Sequence, residues 1–165
     1  MSGRHDGFAQ QLDVATTGTI ENGKPKVALG DLAFFENATF RFVKTDEAIT
    51  VAKLTYFSGS LTNKWLVNIM PTATTFHQAG AGFAMATTTT TNTHFWVHVA
   101  GITTSKSPSL IAVSSTAGLG IVPDTTTAGS IKDGTVGTDD ARIVATSLIA
   151  AASSLCTFYL ARMVS

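Results

Sequence analysis

The sequence predicts an all-β fold, a single small β-barrel or sandwich domain with an extended N-terminal arm. Threonine, a β-branched residue that favours extended backbone, fills 27 of the 165 positions. Apolar residues come in short runs, and every break between runs carries Gly, Pro, Asn or Ser. Only 13% of residues are charged, so the Glu and Lys that favour helices are scarce. Nine or ten short strands at this spacing are typical of a barrel or sandwich.

The chain is long enough for one domain, which we divide into an arm over residues 1–26 and a β domain over residues 27–165. The arm shows no hydrophobic period and contains four glycines. Its scattered apolar side chains can pack only against another surface, so we expect the arm to become ordered on a partner. These candidate contact residues are Phe8, Leu12, Val14 and Ile20.

The first strands of the domain follow the arm directly. LAFFEN, starting at Leu32, and ATFRFVK, starting at Ala38, are separated by a turn at Glu36–Asn37. Three further short apolar runs follow, each ended by a turn residue or a polar stretch. They are AITVAKLTYF at 48–57, KWLVNIM at 64–70 and GAGFAMA at 80–86.

The clearest strand in the sequence is THFWVHVAG, which follows the threonine run at 87–91. Its strict alternation places Phe95, Val97 and Val99 on one face, and burying each of these side chains stabilises the fold by about 1.5–3 kcal/mol. We therefore expect that face to line the core and the other face to be exposed. An exposed Trp between two His indicates a contact with another subunit or partner. The candidate interface residues are His94, Trp96 and His98.

The last part of the chain gives SLIAVSST, GLGIVP, a polar excursion over 124–140, RIVATSLIA and SLCTFYLARM. Segment 141–152 has two interpretations. Asp139–Asp140 could cap an Ala-rich helix, whereas the density of Val, Ile and Thr favours a strand. In the final run Cys156 alternates in step with Phe158 and Leu160, so we expect it to be a small core residue.

Composition excludes several classes of function. Lys plus Arg and Asp plus Glu are 11 each, so there is no basic excess to hold nucleic acid. No run of 18 apolar residues occurs, which argues against a membrane span, and the start lacks the apolar region of a secretory signal. The single cysteine cannot form an internal disulfide, in keeping with synthesis in a reducing cytoplasm.

No motif predicts catalysis or a cofactor. His94 and His98 are four residues apart but lack a third ligand nearby in sequence, so we expect polar surface histidines and no metal. The glycines of GLG at 118–120 lack the third glycine and the Lys-Ser/Thr pair of a phosphate loop. Cys156 has no base next to it, and the aspartates at 124–140 lack calcium-site spacing. We therefore expect no enzyme and no cofactor.

Three stretches carry a family resemblance. FRFVKTDEAITVAKLTYF has an aromatic-rich strand followed by small residues and a second strand. GAGFAMATTTTTNTHFWVHVAG has a Gly-hydrophobic-Ala strand, a Thr-rich link and a strand, and the chain ends with STAGLGIVPD, ARIVATSL and CTFYLARM. This order, from about Ala38 onward, resembles the small structural proteins of tailed bacteriophages assigned to capsid decoration or cement roles. Their Gly-Trp-Val-Gln strand is replaced here by Phe95–His98.

The resemblance implies a virion protein made in the host cytoplasm and bound to the capsid exterior. Its implied partners are the major capsid protein and itself, as a homotrimer. Zero net charge on a mildly apolar chain, with a mean hydropathy of +0.24, also favours assembly. Two alternatives stay open, a tail or fibre-base component and a carbohydrate-binding or hydrolytic virion module. Only Trp65 and Trp96 could serve the last of these as aromatic platforms.

Overall fold

The computed structural model describes residues 20–21, 24–25, 27–35, 37–72, 80–88, 93–102, 110–111, 116–135, 137, 144–148, 155–156 and 158–160. All regular secondary structure in these ranges is β-strand, which confirms the predicted all-β class. They contain no helix long and apolar enough to cross a bilayer.

The strands are numbered in chain order. They are β1 (Ile20–Glu21), β2 (Lys24–Pro25), β3 (Leu32–Phe35), β4 (Ala38–Thr45), β5 (Leu54–Phe57), β6 (Leu66–Ile69), β7 (Gly80–Ala84), β8 (Thr93–Ile102), β9 (Leu110–Ile111), β10 (Gly120–Pro123), β11 (Ile131–Asp133), β12 (Ala145–Ser147), β13 (Leu155–Cys156) and β14 (Phe158–Leu160).

Five of these strands close into a barrel. They follow each other in the order β8, β7, β5, β6 and β4, and β4 pairs back onto β8 to complete the ring. The β4–β6 pair is parallel, whereas the other four pairs are antiparallel. The β4–β8 ladder is the longest, running from Thr45 opposite Thr93 to Ala38 opposite Gly101, with a bulge at Thr39/Phe40. Closure leaves the ring without a free edge of its own.

Additional strands extend the sheet away from the barrel. β3 pairs with the first half of β4, and the turn at Asn37 between them is the predicted one. β14 pairs with Gly101 and Ile102 at the end of β8, and β12, β10 and β11 continue from it. β1 with β2 and β9 with β13 form separate antiparallel pairs. Within the predicted arm, the described residues of β1 and β2 therefore pair with each other.

The barrel interior is filled from all five strands, as strand alternation requires. Phe95, Val97 and Val99 of β8 are 0%, 0% and 2% exposed, which confirms the inward face predicted for this strand. Their fellow core residues are Val43, Ile49, Val67, Ala81 and Ala84, with Phe57 and Ile69 packed alongside.

The outside of the barrel is also buried, by two further apolar clusters. One joins Leu54 and Phe83 of the barrel to Ile121, Ile131 and Leu160 of the extension, all at most 2% exposed. The other joins Phe40 and Phe42 of β4 to Trp96 of β8. Because full burial of one such side chain stabilises the fold by about 1.5–3 kcal/mol, both outer layers contribute substantially. β4, β5, β7 and β8 thus contribute to an outer cluster as well as to the barrel interior.

The strand predicted over 48–57 begins only at Leu54. Ala52 has φ +68°, which an extended strand does not allow, and the preceding residues form a loop. Two hydroxyls of the threonine run hold this loop, since Thr88 Oγ1 accepts from Ile49 N at 2.8 Å and Thr87 Oγ1 accepts from Val51 N at 3.1 Å. Side-chain hydrogen bonds of this kind compete with strand pairing, and alternation alone does not reveal them.

The polar excursion contains a strand that the sequence pattern did not predict, β11. The buried carboxylate of Asp124 organises the turn before it, accepting from Thr126 Oγ1 at 2.7 Å and from Thr127 N at 2.8 Å. The strand favoured over 141–152 is confirmed where the structure describes it, at β12. Cys156 pairs with Leu110, while its side chain lies outside the described residues.

Candidate interaction surface

The predicted exposure of the outer face of β8 is wrong for two of its three residues. Trp96 is 2% exposed and His98 is 1% exposed. The rings of Phe42 and Phe40 lie beside them, each with a centroid distance of 5.1 Å. A further layer of partly buried apolar side chains packs on this cluster and closes it, namely Val27, Leu29, Ala33 and Met85. This face is therefore a second core.

His98 is a neutral core residue. Burial lowers the pKa of His98 to about 4, although a hydrogen bond with the Ala100 carbonyl opposes that shift. The His98 Nε2 atom lies 2.9 Å from the Ala100 oxygen. Since a carbonyl oxygen can only accept, Nε2 carries the proton and donates it. At neutral pH the ring is therefore uncharged and has a polar partner.

His94 is the one member of the predicted trio that reaches solvent. Its ring stacks on Phe42 with a centroid distance of 5.9 Å and an interplanar angle of 21°. Burial and the nearby charge of Lys44 both lower the pKa of His94. The residues that the structure describes contain no group of three His, Cys, Asp or Glu side chains placed to hold a metal ion.

The predicted contact residues of the arm mostly fall outside the description. Phe8, Leu12 and Val14 lie outside the described residues. Ile20 lies in β1, where its backbone pairs with Pro25, and its side chain is not described. The partner-contact role of the arm therefore stays a prediction.

The structure offers a different candidate surface, formed by four exposed apolar side chains on β3, β8 and β14. Phe34 is 63% exposed, and the other three are 39–48% exposed. We call this surface the end-face. Its members are Leu32, Phe34, Ile102 and Tyr159.

The register places these four side chains on one side of the sheet. Phe34 is opposite Thr39, Tyr159 is opposite Ile102, and the Ile102 N–H donates to the Asn37 carbonyl at 3.2 Å. Asn37 and Thr39 are two residues apart and so point the same way. Ala38 and Leu160, which pair with Gly101 from its two sides, point to the other side of the sheet and are buried.

The end-face lies beyond the ladders that β6 and β7 form. β6 pairs only with residues 44–45 of β4, and β7 pairs only with residues 97–98 of β8. Leu32 and Phe34 pair with residues 41 and 39 of β4, and Ile102 ends β8, all outside those two ladders. The run LAFF at 32–35, apolar on both faces of an edge strand, is the sequence signal that could have indicated such a surface.

An aromatic and cationic groove borders the end-face. Arg41, which pairs with Leu32, places its guanidinium carbon 4.9 Å from the Trp65 ring centroid, and the Lys64 ammonium lies 5.4 Å from the same ring. The open space has a volume of about 600 Å³, and we call it the loop groove. Its walls are Phe57, Gly59, Ser60, Leu61, Lys64 and Trp65.

Trp65 itself is partly covered by protein. Gly30 has φ +92°, and a Cβ at that position would overlap the Trp65 indole. The glycine thus allows the backbone to lie directly against the ring. With Arg41 and Lys64 also over the ring, Trp65 is more a wall of the groove than a free platform.

Comparisons with known proteins concern the fold. No family model matches the chain, and no curated protein matches it. Among solved structures, the chain is similar to the N base of head fiber gp8.5 of bacteriophage phi29, with a TM-score of 0.50 and 10% sequence identity. The match covers 78% of this chain and 98% of that chain. The likeness shows a shared fold and no more.

Proposed function

We propose that the chain is a structural component of a phage virion, bound to the outer surface of the head. In this role it contacts the major capsid protein and stabilises the contacts between capsid subunits. Two independent observations support the proposal. The order of segments resembles small virion structural proteins, and the fold is similar to the N base of a phage head fiber protein. The chain acts by binding, without a catalytic step.

The observation that carries the proposal is the end-face. Exposed apolar residues scattered singly are ordinary, whereas four that share one side of a sheet indicate a binding surface. Phe34 is the central anchor because it is the most exposed of the four. An aromatic anchor of this kind is a typical interface hot spot.

Self-association is part of the same proposal. Closed symmetry lets several weak contacts act together, because linked copies bind with a high effective concentration. A homotrimer at a threefold position of the shell would contact the capsid through one end-face from each copy. A fibre-base role is the second candidate, favoured by the likeness to the N base of a head fiber protein.

The test is binding of the purified protein to heads of the encoding phage, measured by co-sedimentation. Phe34→Ser should weaken binding about 10- to 100-fold, from the loss of about 1.5–3 kcal/mol of apolar burial. Leu119→Ser is the matched control, since Leu119 is 38% exposed in the turn before β10 and outside the end-face.

Both variants should keep the thermal unfolding temperature of the original protein, because both side chains are exposed. Unchanged binding of Phe34→Ser, or an equal loss in Leu119→Ser, would contradict the end-face as the head contact.

A further inference from the structure

The loop groove has more positive charge around it than the chain as a whole would suggest. Lys64 and Arg41 lie over Trp65, and the Lys44 ammonium is 3.4 Å from Asn63 Oδ1 on the same loop. The whole chain has a formal net charge of zero. Three cations, one of them the groove-lining Lys64, thus lie on or beside this loop.

None of the six residues that line the groove is acidic. Two carboxylates on neighbouring segments accept hydrogen bonds from backbone groups. Asp31 accepts from the Ala28 N–H at 3.1 Å, and Glu47 accepts from the Ile69 N–H. Lys64 is therefore the one charged residue of the groove lining, and its charge favours an anionic partner.

The loop that forms the groove is held in shape before any partner binds. Asn63 N donates to Ser60 O at 2.9 Å, and Ser58 N donates to Leu66 O at 3.0 Å. At the tip of this ordered turn, Leu61 is 100% exposed. A preformed loop loses little conformational entropy on binding, so an apolar side chain displayed on it is well suited to contact a partner.

We infer that the loop groove binds an acidic peptide segment of a partner protein. A carboxylate of the segment meets Lys64, and an aliphatic side chain packs against Leu61 and Phe57. Charge complementarity sets the orientation of the segment, and the apolar contact adds affinity. The inference goes beyond the head-binding proposal and does not rest on it, because it concerns a different surface and a different chemistry.

A sugar is a poorer fit to the same groove. Sugar sites use an aromatic ring with a free face, whereas Trp65 has Gly30 against its indole and two cations over the ring. A fully exposed leucine beside a lysine matches a peptide of alternating acidic and aliphatic residues better than it matches hydroxyl groups.

The experiment uses fluorescence anisotropy with the full chain and a short fluorescein-labelled peptide that repeats Asp-Glu-Leu. The control peptide repeats Asn-Gln-Leu, which keeps the shape and removes the charge. We expect the acidic peptide to bind, the neutral one to bind at least tenfold more weakly, and the affinity for the acidic peptide to fall as salt rises.

Variants locate the binding on the groove. Lys64→Gln should weaken binding up to about fivefold, the scale of one exposed ion pair, and Leu61→Ser should weaken it further. Lys132→Gln is the matched control, since Lys132 bonds to Thr125 Oγ1 in another part of the fold. The exposed positions of Leu61 and Lys64 allow both variants to fold, which thermal unfolding checks.

Three results would overturn the inference. They are equal binding of the neutral peptide, an equal loss in Lys132→Gln, and tighter binding of an acidic polysaccharide such as alginate than of the acidic peptide. Each can occur while head binding through Phe34 is retained, so failure here is distinguishable from failure of the proposed function.

Discussion

The buried neutral His98 makes stability depend on pH in a window set by two pKa values. In the unfolded chain the ring protonates near its ordinary pKa of 6.5, and in the folded protein burial lowers the pKa to about 4. Between these values the unfolded state binds more protons, so the free energy of unfolding falls as the pH falls. The contribution of the neutral His98 ring to the free energy of unfolding is fully present above pH 6.5 and is lost by about pH 4.

The size of the effect follows from the shift. A difference of one pKa unit corresponds to about 1.36 kcal/mol, so this shift corresponds to about 3 kcal/mol. Stabilities of small domains are about 5–15 kcal/mol, so a loss of this size is readily measured. The assay is urea unfolding, followed by circular dichroism, at several pH values from about 7.5 to about 4, which spans both pKa values.

His98→Gln provides the comparison, because its amide can still donate to the Ala100 carbonyl but does not titrate. We expect the variant to lose most of the pH slope. His94→Gln is the matched control and should change the slope less, since the His94 ring is only partly buried. An identical slope in His98→Gln and the original protein would refute the assignment of the neutral core histidine.

Three further predictions test the packing and the turns. Trp96→Ala should lower the free energy of unfolding by about 3–5 kcal/mol in urea titrations. A loss of assembly at unchanged stability would instead indicate that Trp96 is exposed. Gly30→Ala should lower the melting temperature more than Gly118→Ala. Both glycines have positive φ, but only at Gly30 does the Trp65 indole occupy the place of the Cβ. Equal shifts in melting temperature would contradict this steric explanation. Burial raises the pKa of Asp124, but hydrogen bonds from Thr126 and Thr127 lower it more, so its net pKa is below the ordinary value. The stability it adds is present above about pH 4 and lost in more acidic solution, so Asp124→Asn should flatten the acid limb of the unfolding profile, and an unaltered limb would argue against this role.

The fold class could be predicted from the sequence because it depends on local patterns. Alternation placed Phe95, Val97 and Val99 correctly on the inward face of β8. The density of Val, Ile and Thr favoured a strand over 141–152, which is confirmed for the described residues at Ala145–Ser147. These patterns report the period of the backbone, which neighbouring residues alone determine.

The second face of β8 could not be placed in the same way. Alternation identifies two faces but does not say whether a distant segment covers the second one. Here Phe40 and Phe42, more than 50 residues earlier, lie beside Trp96 and His98 and bury them. A strand buried on both faces is apolar almost without a break, and the run FWVHVA shows that pattern in retrospect.

The candidate surface was missed for a related reason. Phe34 reads in sequence as one more core aromatic, whereas it is 63% exposed in the structure. It lies on an edge strand beyond the residues of β4 and β8 that pair with β6 and β7. Such an outcome depends on the full set of strand registers, which no single segment encodes.

The measurement that tests the central claim most directly is a cryo-EM map of the purified virion of the encoding phage. The account predicts density for this β-barrel in many symmetry-related copies on the outer surface of the head, with Phe34 and its end-face turned toward the capsid protein. A virion that lacks the protein, or one that carries it in a few copies on the tail, would contradict the claim.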